Sequence, residues 1–264
     1  MRIRNGSEAM EQPERFRHEY KYICSQGELT ILQHRLRGAV KPDSHAGADG
    51  LYHIRSIYFD DPYDCCVREN LAGINQREKW RIRAYNADPS RISLERKVKE
   101  NDMIHKDSCP LTKAQFDLLI SGSPVPVTGE TPRLLNRFSY LIACRGFSPK
   151  VIVGYDRRPY VYRAGNVRIT FDTHIFSSPD MEEFFSRKLR RRPVLQTGQH
   201  LLEVKFDEFL PDWLQKTMQL QSMQRTAFSK YYLCRAYDMG PARKENRVNG
   251  QRISAEKGEI YDNV

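Results

Sequence analysis

Arg77-Glu78-Lys79-Trp80-Arg81-Ile82-Arg83 is the stretch on which the reading of this chain turns. Side chains alternate between the two faces of a strand. Read as a strand, the segment puts Arg77, Lys79, Arg81 and Arg83 on one face, with Trp80 and Ile82 on the other. Four neighbouring cations repel one another unless water or an anion screens them. A solvated outer face would satisfy one such strand, so the deciding question is whether other strands carry charge on a matching face.

On the N-terminal side, Arg15–Ile23 alternates in the same way. Phe16, Tyr20 and Tyr22 oppose Arg15, Arg17, Glu19 and Lys21. Ser25 followed by Glu28 forms a capping box that opens a helix to about Gly38, with Leu29, Leu32 and Leu36 as its apolar stripe. Tyr52–Asp60 reads as a strand and Pro62–Leu71 as a short helix. On the C-terminal side, Asn86–Ser90 is a turn. Ile92–Lys99 then places Glu95, Lys97 and Lys99 opposite Ile92, Leu94 and Val98. A shorter strand is expected at Met103–Lys106, and a helix capped by Thr112 and Gln115 runs to Ile120. A Pro/Gly-rich loop, Gly122–Pro132, leads to a helix at Leu134–Cys144. Strands follow at Val151–Arg157, extended or paired by Pro159–Arg163, and at Val167–Asp172 and Leu201–Asp207. Two helices, Pro211–Gln221 and Thr226–Tyr237, close the pattern. Residues 1–13 read as a flexible lead, 14–239 as one domain, and 240–264 as a polar, disordered tail.

Composition narrows the class. The chain has 264 residues, 39% of them hydrophobic, and a net charge of +10. That balance points to a polyanionic partner. No apolar run is long enough to span a bilayer and no secretory signal is apparent, so a cytoplasmic location is expected. The six cysteines lack metal-site or CxxC spacing and read as reduced, mostly buried thiols. Arg187–Arg192, with five cations in six residues, reads as a mobile, solvated loop; an active role would be to guide a polyanionic product or touch anionic lipid.

Five strands share the division seen at Arg77–Arg83. Their charged sets are Arg17/Glu19/Lys21, Arg77/Lys79/Arg81/Arg83, Glu95/Lys97/Lys99, Arg168/Asp172 and Glu203/Lys205. Helices covering the apolar face would leave the charged face free to enclose something else. Two arrangements fit the pattern: an antiparallel sheet whose charged face lies in water, and an α+β fold with a closed antiparallel β-barrel of about eight strands, a charged interior and helices packed outside. In the barrel, the interior would be a binding site. Cations would hold a multiply charged anion there. The scattered carboxylates Glu19, Glu95, Asp172 and Glu203 would hold a hard divalent cation. That combination suits phosphoryl transfer.

An ordered set of motifs gives the pattern a family. It comprises Arg17-His18-Glu19-Tyr20-Lys21-Tyr22, Ile57-Tyr58-Phe59-Asp60, Lys79–Tyr85, Leu94-Glu95-Arg96-Lys97, Val167–Asp172, Leu202-Glu203-Val204-Lys205 and Arg225–Tyr231. With these the chain resembles the triphosphate tunnel metalloenzymes, and most closely their VTC-domain branch of polyphosphate polymerases, over residues 14–237. The resemblance implies an ATP-dependent phosphotransferase that extends polyphosphate with manganese or magnesium. Lys21, Lys79, Arg81, Arg83, Lys97, Arg168 and Lys205 would bind phosphate, and Lys97, Lys99, Lys230 and Arg158, or its neighbour Arg157, would act at the reacting phosphates. Glu203, with Glu19, would hold the metal. Arg17 stands where the hydrolases and cyclases of the superfamily have a carboxylate, which favours the polymerase branch. A triphosphatase of the same fold and a non-catalytic polyphosphate-binding module are the alternatives. Partners would be ATP and polyphosphate rather than nucleic acid. A separately encoded membrane partner, or a peripheral position at the inner face of a membrane, would be compatible with this reading.

Overall fold

The computed structural model describes residues 16–236 apart from 45, 48, 102 and 220–222, together with the backbone of 246–248 and 251–253. The expected flexible lead, 1–13, lies outside them. So does the C-terminal tail, except for two short strands, Asn246–Val248 and Gln251–Ile253, paired antiparallel.

The strands are β1 (His18–Ser25), β2 (Lys41–Pro42), β3 (Tyr52–Asp60), β4 (Gln76–Tyr85), β5 (Ile92–Glu100), β6 (Met103–Leu111), β7 (Ser148–Tyr162), β8 (Val167–Ser178), β9 (Arg192–Pro193) and β10 (Gln199–Phe206). The helices are α1 (Gln26–Leu36), α2 (Cys65–Leu71), α3 (Lys113–Ile120), α4 (Arg133–Arg145), α5 (Asp212–Met218) and α6 (Lys230–Ala236). Eight strands form one sheet in the order β1-β10-β8-β7-β3-β4-β5-β6, with β2 beside β7 and β9 beside β8. All of these pairings are antiparallel. Hence α+β holds, but the ladders do not make a complete ring. The sheet curls until its two edges touch at one bridge, where Arg17 and Ile104 exchange backbone hydrogen bonds of 3.0 and 3.2 Å.

Both capping boxes form as the sequence predicts, at Ser25/Glu28 and Thr112/Gln115. The α1 stripe Leu29, Leu32 and Leu36 is buried with Ile169, Phe171, Leu202 and Val204, which lie on the faces of β8 and β10 opposite Arg168, Glu203 and Lys205. A larger cluster packs α2, α3, α4 and α6 on the apolar face of β3–β7, centred on Trp80, which stacks on Phe138 at 5.1 Å. Helices therefore cover the apolar face, and the charged faces turn towards one another.

Several elements differ from the sequence expectation. β6 continues through Pro110, which an edge strand tolerates because no neighbour needs the missing N–H. β7 runs unbroken through Pro159, so of the two expected arrangements of Pro159–Arg163 the extension is the one that forms, and the strand also starts earlier, at Ser148. In β8, His174 adopts φ 51°, and the β7–β8 register slips between Gly154 and Asp156, as a bulge requires. The helix expected from Thr226 begins only at Lys230. Residues 225–229 instead form an extended strap, because Thr226 N–H donates to Lys21 O at 2.9 Å and Arg225 bridges Tyr22.

Candidate functional site

The curled sheet and the strap enclose a cavity of about 720 Å³. Fourteen lysines and arginines line it, against two carboxylates, Glu19 and Glu203, among the described residues. β4 contributes Arg77, Lys79, Arg81 and Arg83, the alternate positions read from the opening segment, while β5 contributes Lys97 and Lys99. β1 supplies Glu19 and Lys21, β10 supplies Glu203 and Lys205, β8 supplies Arg168, and α6 supplies Lys230. The cavity residues predicted from sequence are thus brought together except Arg158 and the carboxylates Glu95 and Asp172, which pair with wall cations from behind instead of lining the cavity. Arg158 points away from the cavity, towards Gly50, whereas Arg157 shares the inward face with Tyr155. Alternation along β7 makes the two mutually exclusive, and the structure selects Arg157.

Arg157 is central to the wall. It donates to both oxygens of Asp172 at 2.6 and 2.7 Å and to Glu203 at 3.1 Å. Lys230 reaches the same two carboxylates, each at 2.6 Å. Burial disfavours the charged form of Glu203, yet Lys230, Lys205 and Arg157 outweigh it and hold the carboxyl well below its ordinary range. Glu19 behaves alike: burial opposes ionisation, and Lys97, Lys21 and Lys205 overcome it. Its oxygens lie 2.7 Å from Lys97 and 3.1 Å from Lys21.

A second group is organised by Glu95, which pairs with Arg81 at 2.7 Å, Lys106 at 3.1 Å and Arg83 at 3.6 Å. Tyrosine hydroxyls complete the aim of the guanidiniums. Arg81 donates to Tyr58 at 2.8 Å and Arg83 to Tyr155 at 3.2 Å. Glu95 is therefore a support behind the arginines rather than a wall carboxylate. Arg168 is drawn to Asp43 at 2.9 Å, and Arg17 to Asp207 at 2.6 Å.

Lys79 has a different environment. Its ammonium donates to Asn70 Oδ1 at 2.7 Å and Ser229 Oγ at 3.0 Å, both neutral. Burial, then Lys21, Lys97 and Arg77, lowers its pKa well below the usual lysine value. Lys97 is pushed down to about 8 by burial, against the pull of Glu19, with Lys21 and Lys205 adding to the depression.

The sequence reading missed Lys106, Arg225, Tyr58 and Tyr155 as lining residues. Lys106 had a legible signal, since it pairs with Lys97 across β5–β6. Arg225 opens one of the family motifs, but with a helix expected from Thr226 onward nothing in the local pattern turns it towards the cavity.

No group of three or more His, Cys, Asp or Glu side chains forms a metal site among the described residues. A divalent cation used in phosphoryl transfer needs less from the protein, typically one or two carboxylates with phosphate oxygens and water completing the shell. Glu203 and Glu19 are oxygen donors on adjoining β10 and β1, and their mutual repulsion registers in the acidity of Glu19. That donor set fits a hard cation bound together with a phosphate ligand.

A curled antiparallel sheet that encloses a cation-lined cavity with a carboxylate pair defines a fold whose interior suits a multiply charged anion. The family model for the VTC domain matches residues 16–237, and the chain belongs to that family. No curated protein is similar enough to count as a relative. Among solved structures, a Bacillus halodurans protein described as an adenylate cyclase matches with 16% identity and a TM-score of 0.47, covering 79% of this chain and 88% of its own. A Hippeastrum protein described as an adenylyl cyclase with a dominant triphosphatase activity matches with 14% identity and a TM-score of 0.49, over 86% of this chain and 97% of its own. The Mimivirus capping enzyme triphosphatase matches with 12% identity and a TM-score of 0.31, over 75% and 85%.

Proposed function

We propose that the protein is a metal-dependent polyphosphate polymerase that transfers the terminal phosphoryl group of ATP to a growing polyphosphate chain. The observation that carries this reading is the charge inventory of the cavity, fourteen cations against two carboxylates among the described residues. The triphosphate of ATP brings about four negative charges, taking roughly two on its terminal phosphate. The excess of cations is larger than that, and leaves room to hold donor and acceptor phosphates together.

In this reading Arg81, Arg83, Lys97, Lys21 and Lys205 hold phosphate oxygens, each already aimed by a tyrosine, a carboxylate or the strap. Lys230 and Arg157 flank Glu203 and would face the reacting phosphates. Glu203 and Glu19 would hold manganese or magnesium, which would neutralise charge on the transferred group. An oxygen of the acceptor phosphate attacks the terminal phosphorus of ATP in line, the bond to the bridging oxygen breaks, and ADP leaves carrying that electron pair. Positioning and electrostatics supply the catalysis, with no covalent protein intermediate.

Incubating the protein with ATP and manganese and resolving the products on a gel tests the proposal. A polymer ladder with ADP is expected. Orthophosphate without a ladder would assign a triphosphatase, in which water takes the place of the acceptor. Intact ATP beside tight polyphosphate binding would assign a binding module.

A further inference from the structure

The run Arg187–Arg192 takes no part in the cavity, yet it is not a loose loop. Leu189 is 4% exposed and anchors its middle in the core. Arg192 pairs with Ser177 in the β8–β9 ladder, and Lys188 N–H donates to Ser186 Oγ at 3.0 Å. Beneath the loop, Arg55 is buried and donates to the carbonyls of Phe184 at 2.6 Å and Ser186 at 2.7 Å. Ile54 lines the cavity, so the neighbouring Arg55 points from the opposite face of β3. The loop therefore sits outside the cavity, across the β3 wall.

Its charges are poorly neutralised. Arg190 is paired with Asp180 at 3.0 Å. Arg187, Lys188 and Arg191 are exposed and pair with no carboxylate among the described residues. Arg191 is held over the Phe176 ring at 5.1 Å. Burial, and then Arg191, lowers the pKa of Arg55, a sign that positive potential accumulates there. A fixed backbone that presents unneutralised cations is preorganised for a polyanion, because little side-chain and loop entropy remains to be lost on binding.

We propose that the Arg187–Arg192 loop, backed by Arg55, is a second binding site, outside the cavity, for the phosphate groups of a condensed-phosphate chain. The choice of condensed phosphate rests on the proposed polymerase function. A chain too long for the cavity reaches this site while one end stays inside. The loop is ill suited to a membrane: its one apolar side chain, Leu189, is turned into the core, leaving nothing to insert among acyl chains.

The test compares the wild-type chain with the triple variant Arg187→Ala/Lys188→Ala/Arg191→Ala, titrated with tripolyphosphate and with long-chain polyphosphate. Long-chain affinity is expected to fall about tenfold, as the loss of three exposed charge contacts implies. Its dependence on salt should flatten by about 0.7 in log–log slope per contact, as for a single-stranded polyanion. Tripolyphosphate affinity should stay unchanged. Unchanged long-chain affinity, or a parallel loss for tripolyphosphate, overturns the site. Phosphatidylserine vesicles provide the third arm: if the variant loses vesicle flotation but keeps long-chain binding, the loop belongs to lipid and the proposal fails. Failure of wild-type protein to bind tripolyphosphate would instead count against the polymerase reading, and leaves the long-chain comparison standing.

Discussion

Lys79 and Lys97 are cross-strand partners on β4 and β5, yet only Lys97 has a carboxylate, Glu19, beside it. Lys79 is left with two neutral oxygens and three cationic neighbours. Replacing Lys79 with Met keeps the volume and leaves no orphaned charge behind. Lys79→Met is expected to weaken tripolyphosphate binding while raising Tm by about 2–4 °C for each kcal/mol of repulsion relieved. A lower Tm would show that Lys79 stabilises the empty fold. Lys97 carries a pH signature. Its free amine titrates near 8, and a bound polyanion raises that value, so binding takes up a proton in the window above pH 8. Affinity should therefore be flat below about pH 7 and fall as pH rises past 8, by up to about tenfold per unit for each lysine so linked. Calorimetry in buffers of different ionisation enthalpy reads the proton uptake directly, and no uptake at pH 8.5 would refute the linkage.

Among the elements, the strap and α6 matter most, because they carry Lys230 to Asp172 and Glu203. Tyr231 fixes the helix. Its hydroxyl donates to the buried Asp60 at 2.8 Å and its ring stacks on Tyr58 at 4.8 Å, the same tyrosine that aims Arg81. Asp60 also accepts from the backbone N–H groups of Asp61, Cys66 and Val67. Tyr231→Phe keeps the stack and removes one hydrogen bond to a charged group, a loss of about 1.5–3 kcal/mol. Thermal unfolding should shift down by roughly 3–12 °C, with weaker tripolyphosphate binding as Lys230 loses its support. An unchanged melting curve would mean that α6 is held by packing alone. The strap shows where local sequence reading fails. Thr226–Tyr237 has helical periodicity, but the backbone of residues 225–226 finds partners on β1, and that long-range pairing outcompetes the first helical turn.

For the whole molecule, the cavity gathers cations whose repulsion is balanced only in part by Glu19, Glu203, Glu95 and Asp172. An anion that binds the folded chain alone should stabilise it by mass action, about 2.7 kcal/mol at a ligand concentration of 100 times Kd. Tripolyphosphate is thus expected to raise Tm by roughly 5–10 °C in a scanning fluorescence or calorimetric melt, and sodium chloride of equal ionic strength should not. An equal shift from the salt would mean general screening and no specific site.

Much of this architecture is set by local pattern. Period-two alternation on β1, β4, β5, β8 and β10 determines which residues share a face, and the capping boxes determine where α1 and α3 begin, because both depend on neighbours within a few residues. The ordered motifs likewise carry the VTC family. Tertiary structure alone decides the rest. It selects Arg157 over Arg158, brings Lys106 and Arg225 to the cavity, makes Glu95 a support for Arg81 and Arg83, and draws the sheet edges together at Arg17 and Ile104 without completing a ring. Each of these depends on strand register, or on a contact between residues far apart in the chain. Alternation says which residues lie on the same side of a strand, but only the packed sheet turns that side inward.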